Sequence, residues 1–123
     1  RGAKRAVILP VSAPFHCALM EPAAHVMAEA LDDVDIAQPG VPLIANVTAT
    51  AVDDPTLIRA LLVDQVTGAV RWRESVSFMA AQGVTEIWEI GAGKALSGMI
   101  RRIDKSIACK AVGTPDDIAA LKE

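Results

Sequence analysis

Short β-branched, apolar runs alternate along this chain with stretches whose apolar residues recur at helical spacing, and that alternation restricts the fold more than any other feature. "RAVILPVS" (5–12) reads as a strand, "VPLIANVTATAV" (41–52) as a second, "TEIWEIG" (85–91) as a third and "SIACKAVG" (106–113) as a fourth. Between them lie helix signals. Pro22 suits a first helical turn, with Ala23, Val26, Met27, Ala30 and Leu31 following at helical spacing. Asp53 or Asp54 caps a helix that opens at Pro55 and carries Leu57, Ile58, Leu61, Leu62 and Gln65 to an end near Gly68. "RWRESVSFMAAQG" closes at Gly83, "GKALSGMIRRID" follows the third strand, and Thr114 with Pro115 starts a last helix. Strands separated by helices of these lengths pair in parallel through crossovers, so the expected fold is a single α/β layer structure over 1–123.

Composition supports this arrangement. Of 123 residues, 52% are hydrophobic but only 3% aromatic, with no Tyr, so the core is aliphatic, as in strands covered by helices on both faces. A net charge of −3 and the lack of any basic run argue against nucleic acid as a partner. No apolar run is long enough to span a membrane. Cys17 and Cys109 lie far apart without CxxC spacing and read as reduced thiols of a cytoplasmic protein. Two histidines and two scattered cysteines offer no metal-ligand spacing, so no metal is expected.

In α/β sheets, chemistry gathers just beyond the carboxyl ends of strands. Three places fit: His16 with Cys17, Asn46, and "GAGK" (91–94). From its position, His16 is either a hydrogen-bonded structural histidine or a proton-transfer group. His25, in mid-helix, reads as solvated or packed. "GAGK" invites comparison with a phosphate loop, but the Walker spacing is absent and Leu96 stands where a dinucleotide fingerprint needs a third glycine. The alternative is a tight strand-to-helix turn.

"LPVSAPFHCALMEPAA", "PLIANVTA", "LLVDQVTGAVRWRESVSFMAAQGV" and "EIWEIGAGKALSGMIRRI", in this order, resemble the C-terminal part of the malonyl-CoA:acyl-carrier-protein transacylases of bacterial fatty-acid synthesis. The resemblance implies the C-terminal portion of an α/β-hydrolase-like acyltransferase core with a mostly parallel sheet. It also implies a Ser-His enzyme that takes malonyl from malonyl-CoA and passes it to the phosphopantetheine thiol of acyl carrier protein, with no cofactor of its own. His16 falls on the family's catalytic histidine. Gln65 matches the position whose backbone carbonyl orients that histidine, and Asn46 matches an asparagine near the site. Phe15 falls where related domains carry Phe when they select malonyl and a smaller residue when they accept methylmalonyl.

The chain departs from the family in lacking a GxSxG elbow: Ser12, Ser75, Ser77, Ser97 and Ser106 all lack the flanking glycines. Arg71 and Arg73 do not match the motif of the arginine that grips the malonyl carboxylate. The expectation is therefore a fragment that carries the base without the nucleophile-bearing N-terminal half, and that is inactive alone. Two further readings stay open. One is a non-catalytic module that binds acyl carrier protein through Lys94, Arg101 and Arg102; the other is a nucleotide-binding domain built on "GAGK".

Overall fold

The computed structural model describes residues 2, 6–8 and 11–121. A turn of 3₁₀ helix, Ala18–Met20, leads into α1, Glu21–Asp32, with Pro22 inside the first turn. Two short strands follow, β1 (Leu43–Ile44) and β2 (Ala51–Val52), and then α2 (Pro55–Thr67) and α3 (Trp72–Ala81). The chain continues through β3 (Glu86–Ile90), α4 (Ala95–Ile103), β4 (Ala108–Val112) and α5 (Pro115–Ala119).

The capping chemistry acts where the residue types place it. Asp54 accepts the Thr56 N–H at the start of α2. At α5, Thr114 accepts from the Asp117 N–H while the Asp117 carboxylate takes the Gly113 and Thr114 N–H groups and the Thr114 hydroxyl. Those donors hold the Asp117 carboxyl below the usual range, the Gly113 N–H contributing most. Gly83, at φ +84°, ends α3 in the left-handed region open to glycine.

β3 and β4 pair in parallel, Glu86 opposite Ala108 through Ile90 opposite Val112, with α4 as their crossover. Val76, Ile100 and Ile107 pack beneath this unit, flanked by Trp72, Met79, Ile87, Ile103 and Cys109. A second cluster, Ala45, Val52, Ile58 and Leu61, joins α2 to β1 and β2.

Three expectations need correction. First, 41–52 is not one strand: β1 and β2 are antiparallel, and the chain reverses between them. The polar cluster "NVTAT" supplies the turn, closed by the Ala45 N–H on the Thr50 carbonyl and the Ala49 N–H on the Ala45 carbonyl. The parallel sheet is thus the β3–β4 pair. Second, Ala6–Ile8, Val11 and Ser12 form no strand, while Arg5, Leu9 and Pro10 of that expected strand lie outside the described residues. A β-branched run becomes a strand only when a neighbour completes its hydrogen-bond ladder, and Ile8 is 97% exposed. Third, α1 buries Ala24 and half-buries Ala28 and Leu31, whereas Val26 faces solvent. Small alanines let α1 lie close to α2, and the Arg59 guanidinium donates across to the Val34 carbonyl just beyond α1.

Candidate active site

His16 stands between a tight turn centred on Pro14, closed by the Phe15 N–H on the Ala13 carbonyl, and the 3₁₀ entry to α1, with φ at +56°. Its Nδ1 lies 2.9 Å from the main-chain carbonyl oxygen of Gln65. The local cause is the end of α2. Gly68 closes that helix by donating its N–H to the Asp64 carbonyl, so the next carbonyl, that of Gln65, has no donor within the helix and is free for a side chain. A carbonyl can only accept, so Nδ1 carries the hydrogen and the neutral ring presents the Nε2 lone pair outward. The imidazole is solvent-exposed.

Asn46 is half-buried at the start of the β1–β2 turn and shares with Gln65, Ile44, Leu61 and Leu62 a cavity of about 160 Å³. His16, Gln65 and Asn46 therefore gather around the C-terminal turn of α2. Phe15, 61% exposed, sits next to His16 in the chain but does not line that cavity and is not packed into the core. The Cys17 thiol donates to the Pro14 carbonyl at 3.1 Å. His25 is exposed on α1, its Nε2 3.6 Å from Glu21 Oε1.

The "GAGK" turn is glycine-dependent, with Gly91 at φ +132° and Gly93 at φ +94°. It does not leave the start of α4 open. The Glu89 carboxylate accepts from the Leu96 N–H at 3.0 Å, the Ser97 N–H at 2.8 Å and the Ser97 hydroxyl at 2.6 Å. These bonds hold the Glu89 carboxyl below its ordinary range, the Ser97 hydroxyl contributing most. Two of the first-turn amides that a phosphate would use are already taken by Glu89, and a fixed carboxylate there repels an anion, which counts against a nucleotide site here. Glu89 is a residue that the sequence reading passed over. Its signal is an acid in phase with Ile87 on the inward face of a strand, seven positions before the amide it binds.

Lys94 precedes α4 while Arg101 and Arg102 lie in its last turn, about 12 Å along the axis, so they do not form one cluster. Arg102 instead lines a groove with Arg73, Glu74 and Ser77. Arg71, weighed from the sequence only as a malonyl-binding arginine and set aside, donates from Nη1 to the carbonyls of Val47 (3.4 Å) and Thr48 (3.2 Å) in the turn that begins at Asn46. Among the described residues no group of three or more His, Cys, Asp or Glu side chains could hold a metal ion, and no helix is long and apolar enough to cross a membrane.

No family model matches the chain. The malonyl CoA-acyl carrier protein transacylase of Salmonella typhimurium is 44% identical over 119 residues, 97% of this chain and 38% of the relative. The crystal structure of acyl-carrier-protein-S-malonyltransferase from Bartonella henselae superposes with a TM-score of 0.88 at 56% identity, covering 98% of this chain and 38% of that one. A malonyl-transacylase solved in complex with a type II PKS acyl-carrier protein gives 0.85 at 42% identity, covering 98% and 40%. With helices and a parallel sheet that match these acyltransferases over nearly its whole length, the chain is homologous to malonyl CoA-acyl carrier protein transacylases and spans about two-fifths of the length of those it matches.

Proposed function

We propose that this chain supplies the general base, and the carbonyl that orients it, to a transacylase that moves malonyl from malonyl-CoA to acyl carrier protein in the cytoplasm. The observation that carries the proposal is the 2.9 Å contact between His16 Nδ1 and the Gln65 carbonyl, which fixes the tautomer a base needs. In the reaction, Nε2 takes the proton of a serine hydroxyl supplied by polypeptide beyond these residues. The serine oxygen attacks the malonyl thioester carbonyl, and the sulfur of CoA leaves with the proton held by His16. In the second half, His16 takes the proton of the phosphopantetheine thiol, the sulfur attacks the malonyl-serine ester, and the serine oxygen leaves with that proton. No cofactor enters beyond the pantetheine that the partner carries. The neighbour solved with a type II PKS acyl-carrier protein supports that choice of acceptor.

A neutral carbonyl stabilises the imidazolium less than a carboxylate would, which favours transfer to a thiol over activation of water. Asn46 and Phe15 contact the acyl group in this reading.

The test is a chimera in which this chain replaces the matching stretch of the Salmonella typhimurium relative. His16→Ala should lower malonyl transfer by about a thousandfold or more, since proton removal and nucleophile activation vanish together. Gln65→Ala keeps the main-chain carbonyl and should cost far less. Transfer by the His16→Ala chimera within tenfold of its parent would overturn the assignment.

A further inference from the structure

We infer that Arg71 is a positioning residue: it holds the turn that carries Asn46 at a fixed distance from the His16–Gln65 pair. The inference rests on the transacylase reading above. Two independent contacts dock this turn, one onto the start of α3 and one onto the end of α2. Arg71 Nη1 is shared between the carbonyls of Val47 and Thr48, at 3.4 and 3.2 Å. Gly68 lets the turn approach closely, since a Cβ there would lie 2.6 Å from Val47 Cγ1 and 2.9 Å from the Asp64 carbonyl oxygen. The turn itself contains Ala49 at φ +55°, a conformation that favours glycine, and an outside donor offsets that bias.

Arg71 is a firm anchor because its own main chain is fixed. The Arg71 carbonyl accepts both the N–H and the hydroxyl of Ser75, each at 3.0 Å, and Ser75 is buried. The guanidinium therefore joins the first turn of α3 to the two residues that follow Asn46. The same four-residue stretch, Gln65 to Gly68, frees the carbonyl for His16 and accommodates Val47. The spacing between Asn46 and the base is thus set by α2, Gly68 and Arg71 together. A guanidinium held by two main-chain carbonyls is committed to the fold, in keeping with its mismatch to the motif that grips malonyl. One shared donor at these lengths is a moderate tether, so the effect expected is moderate.

The test is a double-mutant cycle in the same chimera. Arg71→Ala should lower malonyl transfer about tenfold, and in an Asn46→Ala background the same substitution should lower it less than about twofold, because its effect passes through Asn46. Arg71→Lys, which keeps the charge but not the fork, should recover part of the loss. A role in stability alone would give equal losses in both backgrounds and would overturn the inference. If Arg71→Ala fails to fold, Arg71→Met, which keeps the apolar stem but removes the donor, must show the same dependence on Asn46. Additive effects in a chimera that His16→Ala still silences would refute the role of Arg71 alone. Transfer that survives His16→Ala would refute the underlying reading; the tether is then read from the Asn46 side-chain amide resonance of the chain, which must shift in Arg71→Lys while amides of α5 stay in place.

Discussion

Ile100 offers the sharpest test of how the βαβ unit is held together. It is wholly buried (0% exposed) against Val76 (0%) and Ile107 (3%), so it locks α4 onto α3 and the sheet. Replacing it with Ala removes three carbons, a transfer loss of about 2.5 kcal/mol at roughly 0.8 kcal/mol per buried carbon group. A cavity left among these neighbours adds about 1 kcal/mol. The increment is kept small because Met79, on the rim of the cluster, is flexible enough to fill part of the space. Ile100→Ala should therefore cost about 3.5 kcal/mol, and Ile100→Val about 1 kcal/mol. In urea unfolding of the dilute chain followed by circular dichroism, the larger loss is a midpoint shift of roughly 1.5–2 M. Ile90→Ala, on β3 but 79% exposed, is the control and should move the midpoint hardly at all. Equal shifts for Ile100→Ala and Ile90→Ala would show that burial does not order the energetics of this unit, and the packing argument would fall.

Two further outcomes follow from the geometry. Because the Glu89 carboxyl is held below its usual value of 4.5, its bonds to Ser97 and Leu96 contribute stability that is present above about pH 4.5 and lost as pH falls through the lower folded-state value. Glu89→Gln should flatten the acid limb of a stability-versus-pH curve, leaving the part due to Asp104 and Asp117, whose carboxyls are also held low; an unchanged limb would refute the role of the cap. If Phe15 meets the acyl group as proposed, its ring beside the α-carbon leaves no room for a methyl, and Phe15→Ser in the chimera should raise the ratio of methylmalonyl to malonyl transfer by about tenfold to a few hundredfold when the two thioesters compete; an unchanged ratio would withdraw Phe15 from substrate choice.

The legible parts of this fold are those written in adjacent residues. Thr114, Pro115 and Asp117 specify their helix start within four positions, and α2 carries its own cap and stop at Asp54 and Gly68. The 41–52 reversal was less visible, because β-branched residues on both sides of "NVTAT" extend the apolar pattern through a turn. The 5–12 run shows the opposite failure: strand propensity is local, but a ladder needs a partner. At the site, spacing alone left His16 undecided between structure and proton transfer. Family resemblance pointed to Gln65, and the geometry supplies the contact across 49 residues that no local rule encodes. The tethering role of Arg71 and the capping role of Glu89 were not legible for the same reason. A guanidinium bound to carbonyls, or a carboxylate bound to amides, leaves its partners without any side-chain signature in the sequence.

The backbone of His16 narrows what evolution or an engineer could place there. At φ +56° a residue with a Cβ is disfavoured, and the substitutions the main chain tolerates best are Gly, Asn and Asp. None of these puts an imidazole nitrogen opposite the Gln65 carbonyl. Under the proposed role of His16, position 16 sets folding and chemistry in opposition: Gly would relax the main chain but remove the ring, while a β-branched replacement would offer neither. A saturation library scored separately for soluble yield and for malonyl transfer should split here, with Gly and Asn among the best-folded variants and both without turnover.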